Sequence, residues 1–119
     1  MDILITNNPL VAAQCRGDFK IEYTDADLQG ILIRVRDLVH IGHRLLTHPL
    51  MGSVKPNESP YKSILISGAP GKLDTESVNI IEQCIQTTQK FAKKDIPEQY
   101  LSDLQIVDLS LIRTVQSVK

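Results

Sequence analysis

Three histidines are concentrated between residues 36 and 62 of the chain. His40 and His43 stand one helical turn apart, and His48 follows in the same segment. Three protein ligands with one open position are the usual donor set of catalytic zinc. The segment is therefore compatible with a small enzyme that uses these histidines for metal-assisted or acid–base chemistry. No HExxH motif or paired carboxylate accompanies them, so we expect neither a bound metal nor a cofactor.

The basic residues of the same segment favour an anion over a metal dication. Arg36 and Arg44 offer planar guanidinium groups with several donors, and Lys55 and Lys62 could close over a ligand from the following loop. A solvated cationic surface, with Asp37 pairing locally, is the alternative. The predicted ligand-binding residues are Thr6, Asn7, Asn8, Arg36, His40, His43, Arg44, His48, Lys55, Asn57, Tyr61 and Lys62.

Two loops after predicted strands are further candidates for binding. Residues 6–9 read TNNP and carry hydroxyl and amide groups, although Asn8 would equally serve as a helix N-cap. Residues 67–72 read SGAPGK and resemble a phosphate-binding loop, but Leu73 stands where such a loop needs a hydroxyl for magnesium. We expect an ordinary turn at residues 67–72. We also expect residues 6–9 to share one pocket with residues 36–62.

Short apolar runs predict three β-strands, at residues 2–6, 19–23 and 63–67. The first and third runs are almost continuously apolar, as expected for strands covered on both faces. The second run alternates between apolar and polar residues, which is typical of an edge strand. The sequence therefore predicts a small sheet with the second strand at its edge.

Helical periodicity predicts four helices around these strands. A short helix follows Asn8 and ends near Gln14, and a second is capped by Asp25 and keeps its apolar face as far as Leu46. A third begins at Asp74. Residues 104–109 fit either a long C-terminal helix or a fourth strand, and the persistence of the pattern favours the helix. Its predicted apolar stripe is Leu101, Leu104, Val107, Leu111, Val115 and Val118.

The alternation of strands and helices predicts an α/β fold. We expect a single domain over residues 1–119 whose mostly parallel sheet has three strands, or four, with helices on both faces. The net charge of −1 gives no reason to expect binding to nucleic acid, and no apolar run is long enough to span a membrane. Cys15 and Cys84 lack a CxxC spacing, which favours reduced thiols in the cytoplasm.

Three segments of the chain are distinctive as phrases. Residues 6–11 read TNNPLV, residues 36–64 read RDLVHIGHRLLTHPLMGSVKPNESPYKSI, and DLQIVDLSLI stands near the end. In these segments the chain resembles the GrdX family. Members are small proteins encoded in the glycine, sarcosine and betaine reductase gene clusters of anaerobic bacteria that ferment amino acids. The resemblance implies an accessory protein of that reductase system with no assigned reaction. The expected partner is therefore a protein of that system or, from the basic side chains of residues 36–62, an anionic small molecule.

Overall fold

Strands and helices alternate along the chain as predicted. The structure is a computed structural model and describes residues 1–51, 58–91 and 95–118. Its elements are β1 (Ile3–Thr6), α1 (Pro9–Gln14), β2 (Lys20–Tyr23), α2 (Leu28–His40), β3 (Ser63–Ile66), α3 (Thr75–Gln89) and α4 (Leu101–Val118), the last preceded by a short 3-10 helix at Glu98–Tyr100. The α/β class is confirmed, and residues 104–109 are helical. No helix of these described residues is long and apolar enough to cross a membrane.

The sheet is mixed, so the prediction of a mostly parallel sheet was wrong. Its strand order is β2-β1-β3, with β1 parallel to β2 and antiparallel to β3. The second strand is at an edge, as predicted. The error concerns the direction of β3. After α2, residues 44–47 run beside β3, and β3 itself starts beside the end of β1, with Thr6 opposite Ser63.

Helix α2 ends at His40, whereas the sequence predicted that it continues to Leu46. Gly42 adopts a positive φ of 110°, which ends the helix in a left-handed residue. The amides of Gly42 and His43 donate to the carbonyls of Val39 and Leu38, at 3.0 and 3.1 Å. Beyond this turn the chain is extended and runs beside β3, where Leu45 forms an antiparallel bridge with Ile66.

Capping side chains define the start of three helices. Asn8 caps α1 by accepting from the amide of Leu10, and Asp74 caps α3 by accepting from that of Ser77, both as predicted. Helix α2 is capped by Asp27, not by Asp25 as predicted. The helix therefore starts two residues later than the sequence suggested.

The buried side chains form two clusters. In the first, Ile3 and Ile5 of β1 pack with residues of β3, α2 and α3. In the second, Leu4 packs with Leu65 of β3 and with residues of α1 and α4. Successive residues of a strand point to opposite sides of its sheet. Strand β1 therefore contributes side chains to both clusters.

Candidate functional site

A buried polar cluster lies where β1 ends and β3 begins. It consists of Thr6, Asn8, Ser63 and Asp108, each at most 6% exposed, and is called the Asp108 cluster below. The Asp108 carboxylate accepts from the Ser63 hydroxyl at 2.6 Å and from the Asn8 amide at 3.0 Å. The hydroxyls of Thr6 and Ser63 are 2.7 Å apart. These bonds join both strands to α4 through one carboxylate.

Asn7 fixes the neighbouring backbone on two sides. Its side-chain amide donates to the carbonyls of Ala26 and Pro60, both at 2.8 Å. Its side-chain oxygen accepts from the amide of Lys62 at 2.8 Å. All the hydrogen atoms of the side-chain amide are therefore used within the chain. Asn7 connects the turn after β1 to the segment that leads into β3.

Lys62 stands next to the Asp108 cluster and is half-buried. Burial lowers the pKa of its ammonium, while the Asp108 carboxylate and, where it is ionised, the Cys84 thiolate act in the opposite direction. Within the described residues, no carboxylate lies within 4.0 Å of this ammonium. Lys62 is thus a partly desolvated cation without a close ion pair in that part of the chain.

The three predicted histidines have separate environments. His40 is exposed, with Nε2 3.3 Å from a carboxylate oxygen of Glu82 on α3. His43 is buried, and its Nδ1–H donates to the carbonyl of Ser67 at 2.8 Å. His48 is exposed, and its Nδ1 accepts from the amide of Leu50. Among the described residues, no group of three His, Cys, Asp or Glu side chains could hold a metal ion.

The predicted basic residues are also dispersed. Arg36 is half-buried, with Nη2 3.7 Å from Asp37, the local pairing that the alternative interpretation predicted. Arg44 is exposed beside Ser67. Lys55 and Asn57 lie outside the described residues.

Residues 6–9 and the histidine segment do not share one pocket. His43 and Arg44 contact Ser67, beyond the carboxyl end of β3, whereas Asn7 and Lys62 lie at its amino end. With a rise of roughly 3.4 Å per residue, Lys62 and Ser67, five residues apart along this extended segment, are about 17 Å apart. Tyr61 lies at the Asn7 end, where its hydroxyl accepts from Gln105 of α4. The structure therefore separates the predicted residues into two groups.

The sequence prediction missed Asp108, which is the centre of the buried cluster. The predicted apolar stripe of α4 included Val107, which is 42% exposed. Over residues 101–115 of this helix the buried side chains are instead Asp108, Leu109 and Ile112. Asp108 stands four residues from both Leu104 and Ile112. A polar residue at this spacing within an apolar face is the signal that could have identified it.

The fold and the cluster define a small α/β protein in which a buried carboxylate connects a mixed three-stranded sheet to its last helix. The chain belongs to the GrdX-like protein family, whose model matches residues 3–117. No curated protein and no solved structure matches the chain.

Proposed function

We propose that this protein is an accessory binding protein of the glycine reductase system and recognises an anionic group through Lys62. Family membership supports the connection with that system. The single observation that supports the site is the half-buried ammonium of Lys62, which has no carboxylate within 4.0 Å among the described residues. The anion would belong either to a small molecule or to an acidic group of a partner protein.

The energetics of Lys62 favour this assignment. Burial has already removed part of the hydration of the ammonium, and this lowers its pKa. An anion that approaches the ammonium would restore a charge-assisted hydrogen bond, whose usual contribution is roughly 1.5–3 kcal/mol. The amide of Lys62 donates to Asn7 and the hydroxyl of Ser63 donates to Asp108, so the backbone that carries the ammonium is hydrogen-bonded at two successive residues.

Binding of inorganic phosphate, sulfate and acetate tests the site. We expect phosphate to raise the melting temperature of the wild type and to raise the pKa of Lys62, which NMR titration of the ammonium can follow. The Lys62→Met variant keeps the apolar stem and removes the charge, so it should lose the shift. Lys72→Met is the matched control, because Lys72 is exposed in a loop. Equal shifts for wild type and Lys62→Met would contradict the proposal.

We propose Arg36 as a second anion contact, separate from Lys62. It is half-buried on α2, and its nearest carboxylate, Asp37, is 3.7 Å away. An Arg36→Ala variant should bind phosphate more weakly than the wild type. An unchanged affinity would limit the proposed site to Lys62.

The accessory role requires a separate experiment with purified proteins of glycine reductase. We expect one of them to bind the wild-type chain in analytical ultracentrifugation and to bind Lys62→Met less tightly. Absence of any complex would contradict the accessory role and leave the phosphate test unaffected.

We further infer that α2 and α3 cover one face of the sheet and that α1 and α4 cover the other. The division of the core into two clusters supports this arrangement. Lys62 precedes β3, whose residues enter both clusters, so the proposed site would lie at the end of the sheet between the two helical layers.

A further inference from the structure

The two edges of the sheet differ in how they are covered. Along β3, the carbonyl of Arg44 accepts from Ser67 and the amide of Leu46 donates to Leu65, at 2.8 and 2.9 Å. Along β2, by contrast, no strand of residues 1–51, 58–91 or 95–118 pairs with the outer side. An unpaired strand edge is a template for pairing with another chain. Strand β2 is thus the open edge of this sheet.

The backbone groups available on that edge follow from the pairing of β2 with β1. The amide of Lys20 donates to the carbonyl of Asp2, just before β1, and the amide of Thr24 donates to that of Thr6 at the end of β1. In a parallel ladder alternate residues face the same neighbour, so the N–H and C=O groups of Ile21 and Tyr23 point outward. An added strand can therefore form hydrogen bonds at these two residues.

The side chains along this edge are complementary to a second copy of themselves. Residues 19–23 read FKIEY, an aromatic, a cation, an aliphatic, an anion and an aromatic. Antiparallel pairing centred on Ile21 places Lys20 opposite Glu22 of the other copy, and Phe19 opposite Tyr23. Hydrogen bonds from Arg34 lower the pKa of Glu22, so its carboxylate is ionised and can attract Lys20 of the other copy. Opposite charges and aromatic pairs directly across strands are stabilising.

The same edge has an open groove on the side of α1. Ala12 and Arg16 of the α1 region line it, together with Phe19, Ile21 and Tyr23. Tyr23 is 47% exposed although it is aromatic. Under the antiparallel register, Tyr23 of the second copy stands opposite Phe19 and next to the Arg16 guanidinium, where its ring would exclude water from the groove.

We propose that two copies of this chain associate through β2, antiparallel about a two-fold axis at Ile21, and thereby form a continuous six-stranded sheet. The interface is isologous, since each copy contributes the same strand and the same groove. The charge order of Lys20 and Glu22 favours a second copy as the occupant, because its reversed strand presents Glu22 to Lys20 and Lys20 to Glu22 together.

Charge reversal tests the register. We expect wild-type protein to approach twice its 13.3 kDa chain mass in sedimentation equilibrium as its concentration rises. In the Lys20→Glu variant, the introduced carboxylate of each copy stands opposite Glu22 of the other copy, which makes two repulsive pairs. The dimer dissociation constant should therefore rise about tenfold or more. Glu22→Lys should weaken the dimer equally, while a mixture of the two variants should form a heterodimer. Lys72→Glu, which makes the same change of net charge in an exposed loop, should dimerise like the wild type.

Cysteine cross-linking provides a second test. In the proposed register the two Ile21 Cα atoms form a hydrogen-bonded pair about 5.5 Å apart, a distance that a disulfide can span. Ile21→Cys should therefore cross-link to itself under mild oxidation. Tyr23→Cys is the matched control, since its two copies would be about 14 Å apart. The native Cys15 and Cys84 are buried and should not form disulfides between the two copies.

Three results would overturn the proposal. One is a wild-type chain that stays at 13.3 kDa at every concentration reached. Another is a dimer that Lys20→Glu leaves intact, because the interface would then lie elsewhere. The third is recovery of an extended segment of another protein on this edge, because the occupant would then not be a second copy.

Discussion

Asp108 shows how a single buried carboxylate can organise the end of a sheet. Two donors reach one of its oxygens, and they come from residues that are far apart in the sequence, Asn8 and Ser63. Hydrogen bonds to a charged acceptor contribute more than neutral ones, and losing the acceptor leaves buried donors unsatisfied. The docking of α4 should therefore depend on this residue.

We predict that Asp108→Ala lowers the free energy of unfolding by roughly 2–4 kcal/mol. Urea denaturation followed by circular dichroism measures the change. Asp103→Ala, on the exposed face of the first turn of the same helix, should cost at most about 0.5 kcal/mol. A double-mutant cycle with Ser63→Ala should show strong non-additivity. Similar losses for the two aspartate variants would show that the cluster contributes little.

Lys62 should make stability depend on pH in a defined direction. Burial lowers its pKa in the folded chain below the ordinary value of 10.5. The unfolded chain therefore binds more protons between the two values, so stability rises as pH increases through this window. At neutral pH the ammonium is present in both states and the folded state carries the cost of burial.

Lys62→Met should consequently be more stable than the wild type at neutral pH, by a few degrees in melting temperature. The difference should shrink as pH rises through the folded pKa of Lys62 towards its unfolded value. Thermal melts at a series of pH values, with Lys72→Met as the exposed control, measure it. A Lys62→Met variant that is less stable than the wild type at neutral pH would show that Lys62 has a favourable partner.

At the scale of elements, the end of α2 determines where the histidine segment goes. Gly42 adopts a left-handed conformation and lies against Gly71, whose amide donates to its carbonyl. A Cβ atom at Gly42 would lie 2.2 Å from the carbonyl oxygen of Gly71. The turn therefore requires glycine for both its backbone angle and its space.

We predict that Gly42→Ala lowers the free energy of unfolding by about 2 kcal/mol or more, since it adds left-handed strain to a backbone clash. Gly17→Ala is the control, because no atom lies within 4 Å of its Cβ position. Denaturant titration of both variants makes the comparison. Equal stability of the two variants would mean that this turn adjusts at little cost.

Local sequence signals predicted the elements far better than their arrangement. Asn8 and Asp74 marked true helix starts, and the three apolar runs became the three strands. The direction of β3 depends on a long connection whose path has no periodic signal, so its pairing could not be predicted. The proposed pocket failed for a related reason, because the antiparallel strand places His43 and Asn7 at opposite ends of β3.

The candidate site was only partly predictable. The amide side chains of Asn7 and Asn8 indicated a candidate binding loop after β1, but in the structure these side chains form hydrogen bonds within the chain. Whether a polar group is available to a ligand depends on what the fold brings next to it, and Asp108 comes from a distant helix. Lys62 was among the predicted residues, and its burial became visible only in three dimensions.

For the whole molecule, β1 is the element on which both clusters depend. It is hydrogen-bonded on both sides, and its side chains enter both clusters. We predict that the amides of β1 exchange hydrogen only through global unfolding, with protection equal to the free energy of unfolding from denaturant titration. Native-state exchange by NMR measures this. The outward amide of Tyr23 is the comparison. In dilute protein, where the proposed dimer dissociates, this amide should be much less protected than those of β1. Exchange of the β1 amides at a rate similar to that of Tyr23 would contradict the prediction.

The position of the two cysteines gives the molecule a pair of internal reporters. Cys84 lies in the first cluster and Cys15 in the second, and burial raises the pKa of both thiols. In the native chain both sulfurs are shielded and protonated, so a thiol reagent can reach either one only when its surroundings open. The labelling rate of Cys84 thus measures how often the first cluster opens, and that of Cys15 measures the opening of the second cluster. With single-cysteine variants, the rate of local opening of each cluster can be measured separately without adding a probe to the protein.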